Sequence, residues 1–309
     1  MTFSRVFLLA AAAAAVGACG NYSNDDLLFM SAVPSSTQLA VVLPRTSNPN
    51  AADLAQDTEG AIGGVNTMLD NVLGLIDTVR SYEPTSRSSS SRTWGPFDDD
   101  KNPGWRWQLV VTLEPDGTTF DYWLETEDVT AATPVWLQFF TGTFDASGGI
   151  EQGNGAVTVD FAALENAGFP LDAKAAALDT VSIAYQNHET PGSPVSVTLT
   201  ITQPPDTNGV TAATFMYEIL TDGSGEISFT LVGNIIPGPA IDTVVINAQW
   251  IPTGAGQATE AIVAGDGAGL VTPRIQCWDA SFNQTYNTEP WMPSSNFGDP
   301  SACQALPTF

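Results

Sequence analysis

Asp98, Asp100 and Asn102 offer side-chain oxygens at alternate positions of the run Asp98-Asp99-Asp100-Lys101-Asn102-Pro103-Gly104, the spacing with which calcium loops present donors to a hard cation. Pro103 stands where such loops bend on a glycine, and Leu109 where they place a bidentate Glu, so a solvated acidic turn competes with the metal reading. Asp222, Ser224 and Glu226 form a weaker set of the same kind. Among the eight tryptophans, Trp123 lies between Asp121 and Glu125, and Trp136 is in phase with Gln138 and Phe140. Flat aromatic faces beside acids can stack on sugar rings, so both are candidate ligand-binding residues; equally, they can line a sheet face that another layer covers.

Signals for catalysis are sparse. The one histidine, His188, falls in the turn-rich run from Asn187 to Gly192, where a polar loop residue is expected. The sequence has no Gly-x-Ser-x-Gly elbow, HExxH pair or P-loop. With 34 acidic residues some carboxylates must lie close together, but no spacing singles out the pair that an acid-based hydrolase needs.

The elements that must position these residues begin with a helix. Over 53–84, Ile62, Val65, Leu69, Val72, Ile76 and Val79 recur at three- and four-residue steps, Gly63, Gly64 and Gly74 weaken the segment, and Pro84 ends it. Such a helix is marginal alone and needs a surface to pack on. Residues 85–93 are rich in Ser and Arg and read as a linker. From residue 94 the apolar period changes to two: Trp105, Trp107, Leu109, Val111 and Leu113 share one face, and after Glu114-Pro115-Asp116-Gly117 a partner strand returns with Phe120, Tyr122 and Leu124. Further alternating segments follow, several with Thr and Ser on one side, as in Val195–Thr202. The fold class expected is mainly β, a large antiparallel sheet in a half-barrel or sandwich over 94–309, with the one N-terminal helix packed on it.

A formal net charge of -25, from 34 acidic and 9 basic residues, excludes nucleic acid as a partner. It suits solubility and divalent or cationic partners.

The amino terminus has one cation, Arg5, then an apolar run from Val6 to Ala15, the layout of a secretory signal and too short to span a bilayer. Directly after it, Val16-Gly17-Ala18-Cys19 resembles the lipobox of bacterial lipoproteins. That resemblance implies a signal peptide over 1–18, a diacylglyceryl thioether on Cys19, and a lipidated tether over 19–52. Gly20 after the cysteine is not the Asp that commonly retains such proteins, which implies the outer membrane of the cell envelope rather than the inner one. With Cys19 lipidated, the two remaining cysteines, Cys277 and Cys303, are free to pair in an oxidising compartment and tie down the Pro- and Ser-rich tail.

The run Cys277-Trp278-Asp279-Ala280-Ser281-Phe282 with Cys303, together with Trp94-Gly95-Pro96, is similar to bacterial envelope lipoproteins of like length. A helix followed by a long antiparallel run also looks like the half-barrel of envelope lipid and lipoprotein carriers. Three functions remain open on these grounds. The first is a non-enzymatic membrane-anchored lipoprotein binding a hydrophobic or protein partner. The others are a surface glycan-binding module using Trp123, Trp136 and calcium, and an acid-based hydrolase.

Overall fold

The computed structural model describes residues 24–43, 48–149, 152–188, 192–204, 211–233, 235–236, 238–270 and 272–307. Cys19 and the signal-like segment lie outside them. Fifteen strands form one open antiparallel sheet in which strand order is chain order, so strands consecutive in the chain are neighbours and no strand crosses over.

Contacts divide the chain into two compact units, Met1–Ala40 with Thr67–Pro191 and Val41–Asn66 with Gly192–Phe309. In the first lie the helices α1 (Asn24–Ser31) and α2 (Ser36–Leu39), the second half of α3 (Asp53–Arg80), and α4 (Phe161–Asn166). Its strands are β1 (Ser86–Arg87), β2 (Ser91–Asp98), β3 (Trp105–Leu113), β4 (Thr119–Asp128), β5 (Leu137–Gly149), β6 (Gln152–Asp160) and β7 (Thr180–His188). The second holds the start of α3 and the strands β8 (Val195–Thr202), β9 (Ala212–Ile219), β10 (Gly225–Gly233), β11 (Asp242–Trp250), β12 (Gly256–Ala264), β13 (Arg274–Trp278), β14 (Gln284–Thr288) and β15 (Phe297–Gly298).

Residues 85–93 are not the linker their composition suggests. They build the β1–β2 hairpin, in which Arg87 pairs with Arg92 in register. Two like charges would repel there. Both guanidiniums instead turn to the fully buried carboxylate of Asp26 on α1, Arg92 at 2.6 Å and Arg87 at 3.2 Å. Arg92 also lies over the Phe29 ring, 4.5 Å from its centroid.

Within each unit one side of the sheet is apolar and buried. Leu109, Val111, Tyr122, Leu124, Phe140 and Phe144 supply it in the first unit, and Val197, Leu199, Ile227, Phe229, Val244 and Ile246 in the second. The same device recurs in both: an aromatic stands directly opposite a glycine, Tyr122 facing Gly142 and Tyr185 facing Gly155, Trp250 facing Gly225 and Trp278 facing Gly256. At Gly142 and Gly225 a Cβ would run into the ring, so the large aromatic uses the space that the glycine leaves. Gly153, Gly155 and Gly225 thus belong to strands and serve close packing.

Along α3, Leu54, Ile62, Val65, Leu69, Val72, Leu73, Ile76 and Val79 are buried, the stripe that the three- and four-residue spacing marks out. None of the described helices is long and apolar enough to cross a membrane.

Candidate functional site

Asp98 closes β2, with Arg106 opposite it on β3 in register. The intervening turn is organised by Asp99, which is buried and not one of the alternate donors. Its Oδ1 accepts from the backbone N–H groups of Lys101 and Asn102, and its Oδ2 accepts from Asn102 Nδ2 at 2.8 Å. Asn102 is therefore held as a donor to Asp99, while Asp98 and Asp100 are exposed. Asp222 is likewise engaged locally, accepting from the Ser224 N–H, and Glu226 accepts from Gln249 on β11. Among the described residues no three His, Cys, Asp or Glu side chains gather as a metal would require.

The tryptophans fare differently. Trp123 is on the side of β4 opposite Tyr122 and Leu124, half-buried, facing Val110 on β3 and Thr141 on β5. Farther along the same side runs a polar ladder. Gln108 donates to Glu125 at 2.6 Å, and Arg106 forms an ion pair with Glu127. Arg106 also lies over the Trp136 ring, 5.5 Å from its centroid, an arrangement in which the ring's negative face attracts the cation. Both Glu125 and Glu127 are buried although they stand on the wetter side.

Trp136 shares this side with Gln138 but not with Phe140. A bulge between Leu124 and Glu125 shifts the register so that Leu124 pairs with Phe140 while Glu125 pairs with Gln138, leaving Phe139 as the extra residue. One inserted residue reverses the alternation, which is why Phe140 joins the buried side. The structure thus brings Trp123 and Trp136 to a single sheet face with two carboxylates, an amide and a guanidinium. His188 ends β7 opposite Gly153 rather than lying in a turn.

A second cluster, in the other unit, escapes motif reading. Arg274 on β13 donates to Asn287 Oδ1 at 3.0 Å and to both oxygens of Asp53 at 2.7 Å, and pairs with Glu260 at 3.4 Å and Glu289 at 3.8 Å. Gln276 donates to Asp53 and Gln284, while its Oε1 accepts the Leu54 N–H at the start of α3. Burial raises the Glu260 carboxyl above its ordinary range, with Arg274 only partly offsetting and Asp53 and Asp57 adding repulsion. Burial raises Asp57 too, aided by the Asp53 charge. At Asp53 burial pushes upward but hydrogen bonds from Arg274 and Gln276 outweigh it, and its carboxyl sits low. A signal for this cluster existed: Glu260 lies in phase with Ala258 and Ile262, a charge on the buried side of β12.

Cys277 and Cys303 are bridged, with Cα atoms 5.3 Å apart. No protein-family model, no curated protein and no solved structure matches this chain.

Proposed function

We propose that the chain is an exported, membrane-anchored lipoprotein, cleaved before Cys19 and lipidated there, which acts as a binding protein rather than an enzyme. Its binding surface is the wetter side of β3, β4 and β5, and its ligand is a glycan of the cell envelope. The observation that carries this reading is the row in which Trp123 and Trp136 stand beside Gln108, Glu125, Glu127 and Arg106. Planar aromatics take the apolar face of a pyranose while amides and carboxylates take its hydroxyls. A hydrophobic ligand fits less well, because the apolar side chains that line the sheet in each unit are buried already.

The same reading takes α3 as the layer packed on the buried side, supported by its buried stripe and by the bonds of Asp53 and Leu54 to Arg274 and Gln276. An acid-based hydrolase is the second reading, favoured by the raised Glu260 carboxyl. Against it, Arg274 and its partners already fill the space around that group.

Two measurements test the proposal. Replacing Cys19→Ser should release the protein from the membrane fraction. Trp123→Ala and Trp136→Ala should each lower binding to envelope polysaccharide in affinity electrophoresis by about tenfold, at unchanged melting temperature. Equal retardation of variants and parent would exclude this face as the binding surface.

A further inference from the structure

Helix α1 belongs to the core of the first unit and is not a loose tether. Its Asp26 carboxylate is fully buried and receives Arg92 at 2.6 Å and Arg87 at 3.2 Å, and its Phe29 ring meets Phe120 edge-on with centroids 5.4 Å apart. Ala32 and Val33, just after the helix, are buried as well. Undocking α1 would strand a buried carboxylate without its cations. These partners stand at one end of the strands. Arg87 and Arg92 flank the β1–β2 turn, where Arg92 Nη1 donates to the carbonyls of Ser88 and Ser91. Phe120 pairs with Leu113, whose N–H donates to the Ser90 carbonyl. The other end of the same strands carries the β2–β3 turn, with Arg106 opposite Asp98 and lying over Trp136.

With Cys19 lipidated, as proposed above and as this inference requires, Asp26 stands seven residues on from the acylated one, a span of at most about 25 Å even when fully extended. Because Asp26 is already pinned, no slack follows it. Charge agrees with the placement. Residues 24–31 and 80–93 together contain three acids, Asp25, Asp26 and Glu83, and three arginines, Arg80, Arg87 and Arg92, so these segments are neutral in a chain of net charge -25. Anionic headgroups repel an excess of carboxylates and do not repel these segments. We propose that the end of the first unit built by α1 and the β1–β2 turn lies on the headgroup layer of the bilayer, and that the Arg106–Trp136 end points away from it. Strand length sets the separation, since β2 (Ser91–Asp98) alone spans roughly 25 Å. The proposed glycan-binding row thus runs outward from the membrane, with Trp136 at its outer end.

The test uses the full lipidated chain in phosphatidylcholine vesicles containing phosphatidylglycerol, with an acceptor dye on the lipid headgroups. A fluorescent donor is placed on a single added cysteine, Ser89→Cys or Lys101→Cys, both at exposed positions and at opposite ends of β2. Energy transfer from position 89 should exceed that from position 101 at least about twofold, because the two differ by about the length of the strand. A Gly/Ser insert of about thirty residues after Gly20 should remove the difference, since it lengthens the leash by roughly 30 Å. Equal transfer from both positions, or more from 101, overturns the orientation. So does a difference that the insert leaves intact, because the short leash is then not what holds that end down. The mass of the amino-terminal peptide tests lipidation separately: an unlipidated chain refutes the anchor and the orientation with it, whereas a lipidated chain with equal transfer refutes the orientation alone.

Discussion

Arg274 shows how one side chain can hold an element in place and what its loss should do. It carries the positive charge among Asp53, Glu260 and Glu289 and is itself nearly buried. Arg274→Met should destabilise the protein by roughly 3–5 kcal/mol, because removing one partner strands the other charges in a poorly solvated place. Glu260→Gln should behave in the opposite way. A carboxyl whose pKa is raised by folding contributes stability that is fully present below its ordinary value near 4.3 and lost as pH rises through the folded value. The neutral amide avoids that loss, so the variant should melt at or above the wild-type temperature at pH 8, with the two curves converging below about pH 4. A clear drop in melting temperature of Glu260→Gln at pH 8 would mean that the ion pair outweighs the desolvation. At this scale much was legible in advance, including the aromatic–acid pattern around Trp123. Of the Arg274 cluster only Glu260, a charge in phase with the apolar side of β12, left a signal, because the members come from α3, β12, β13 and β14 and share no local spacing.

At the scale of elements, period proved more informative than composition. The boundaries of β3 and β8 coincide with the segments Trp105–Leu113 and Val195–Thr202 marked by alternation, and the turn Glu114–Gly117 closes with the Gly117 N–H on the Glu114 carbonyl. Composition misled at residues 85–93, where a Ser/Arg run forms a hairpin because the Asp26 carboxylate on a distant helix takes up both guanidiniums. It also passed over β14, a polar strand with Asn287 buried against Arg274. The helix stripe gives a direct test. Leu69 is fully buried and Asp70 is exposed, so Leu69→Asp should cost roughly 3–5 kcal/mol by burying an unpaired charge, whereas Asp70→Asn should stay within about 0.5 kcal/mol of wild type. Chemical denaturation of the two variants decides it, and indistinguishable midpoints would mean that the stripe does not face a protein core.

For the molecule as a whole, the bridge between Cys277 and Cys303 joins β13 to a tail whose last elements are β15 and the single turn Pro300–Ala302. Closing 26 residues of chain should stabilise by about 3 kcal/mol through the entropy removed from the unfolded state. Cys303→Ser should lower the unfolding free energy by that order in urea titration; an unchanged midpoint would show that the tail adds nothing to the fold. Sequence by itself determined the mainly β class and its antiparallel sheet, because alternation and turn residues are local properties, and it pointed to the bridge between these two cysteines only once Cys19 is set aside. Tertiary structure alone decided which charges meet, where a single bulge between Leu124 and Glu125 reverses the faces of β5, and that glycines and aromatics fit together across strands. Those outcomes depend on register between segments far apart in the chain, and a shift of one residue exchanges the two faces of a strand.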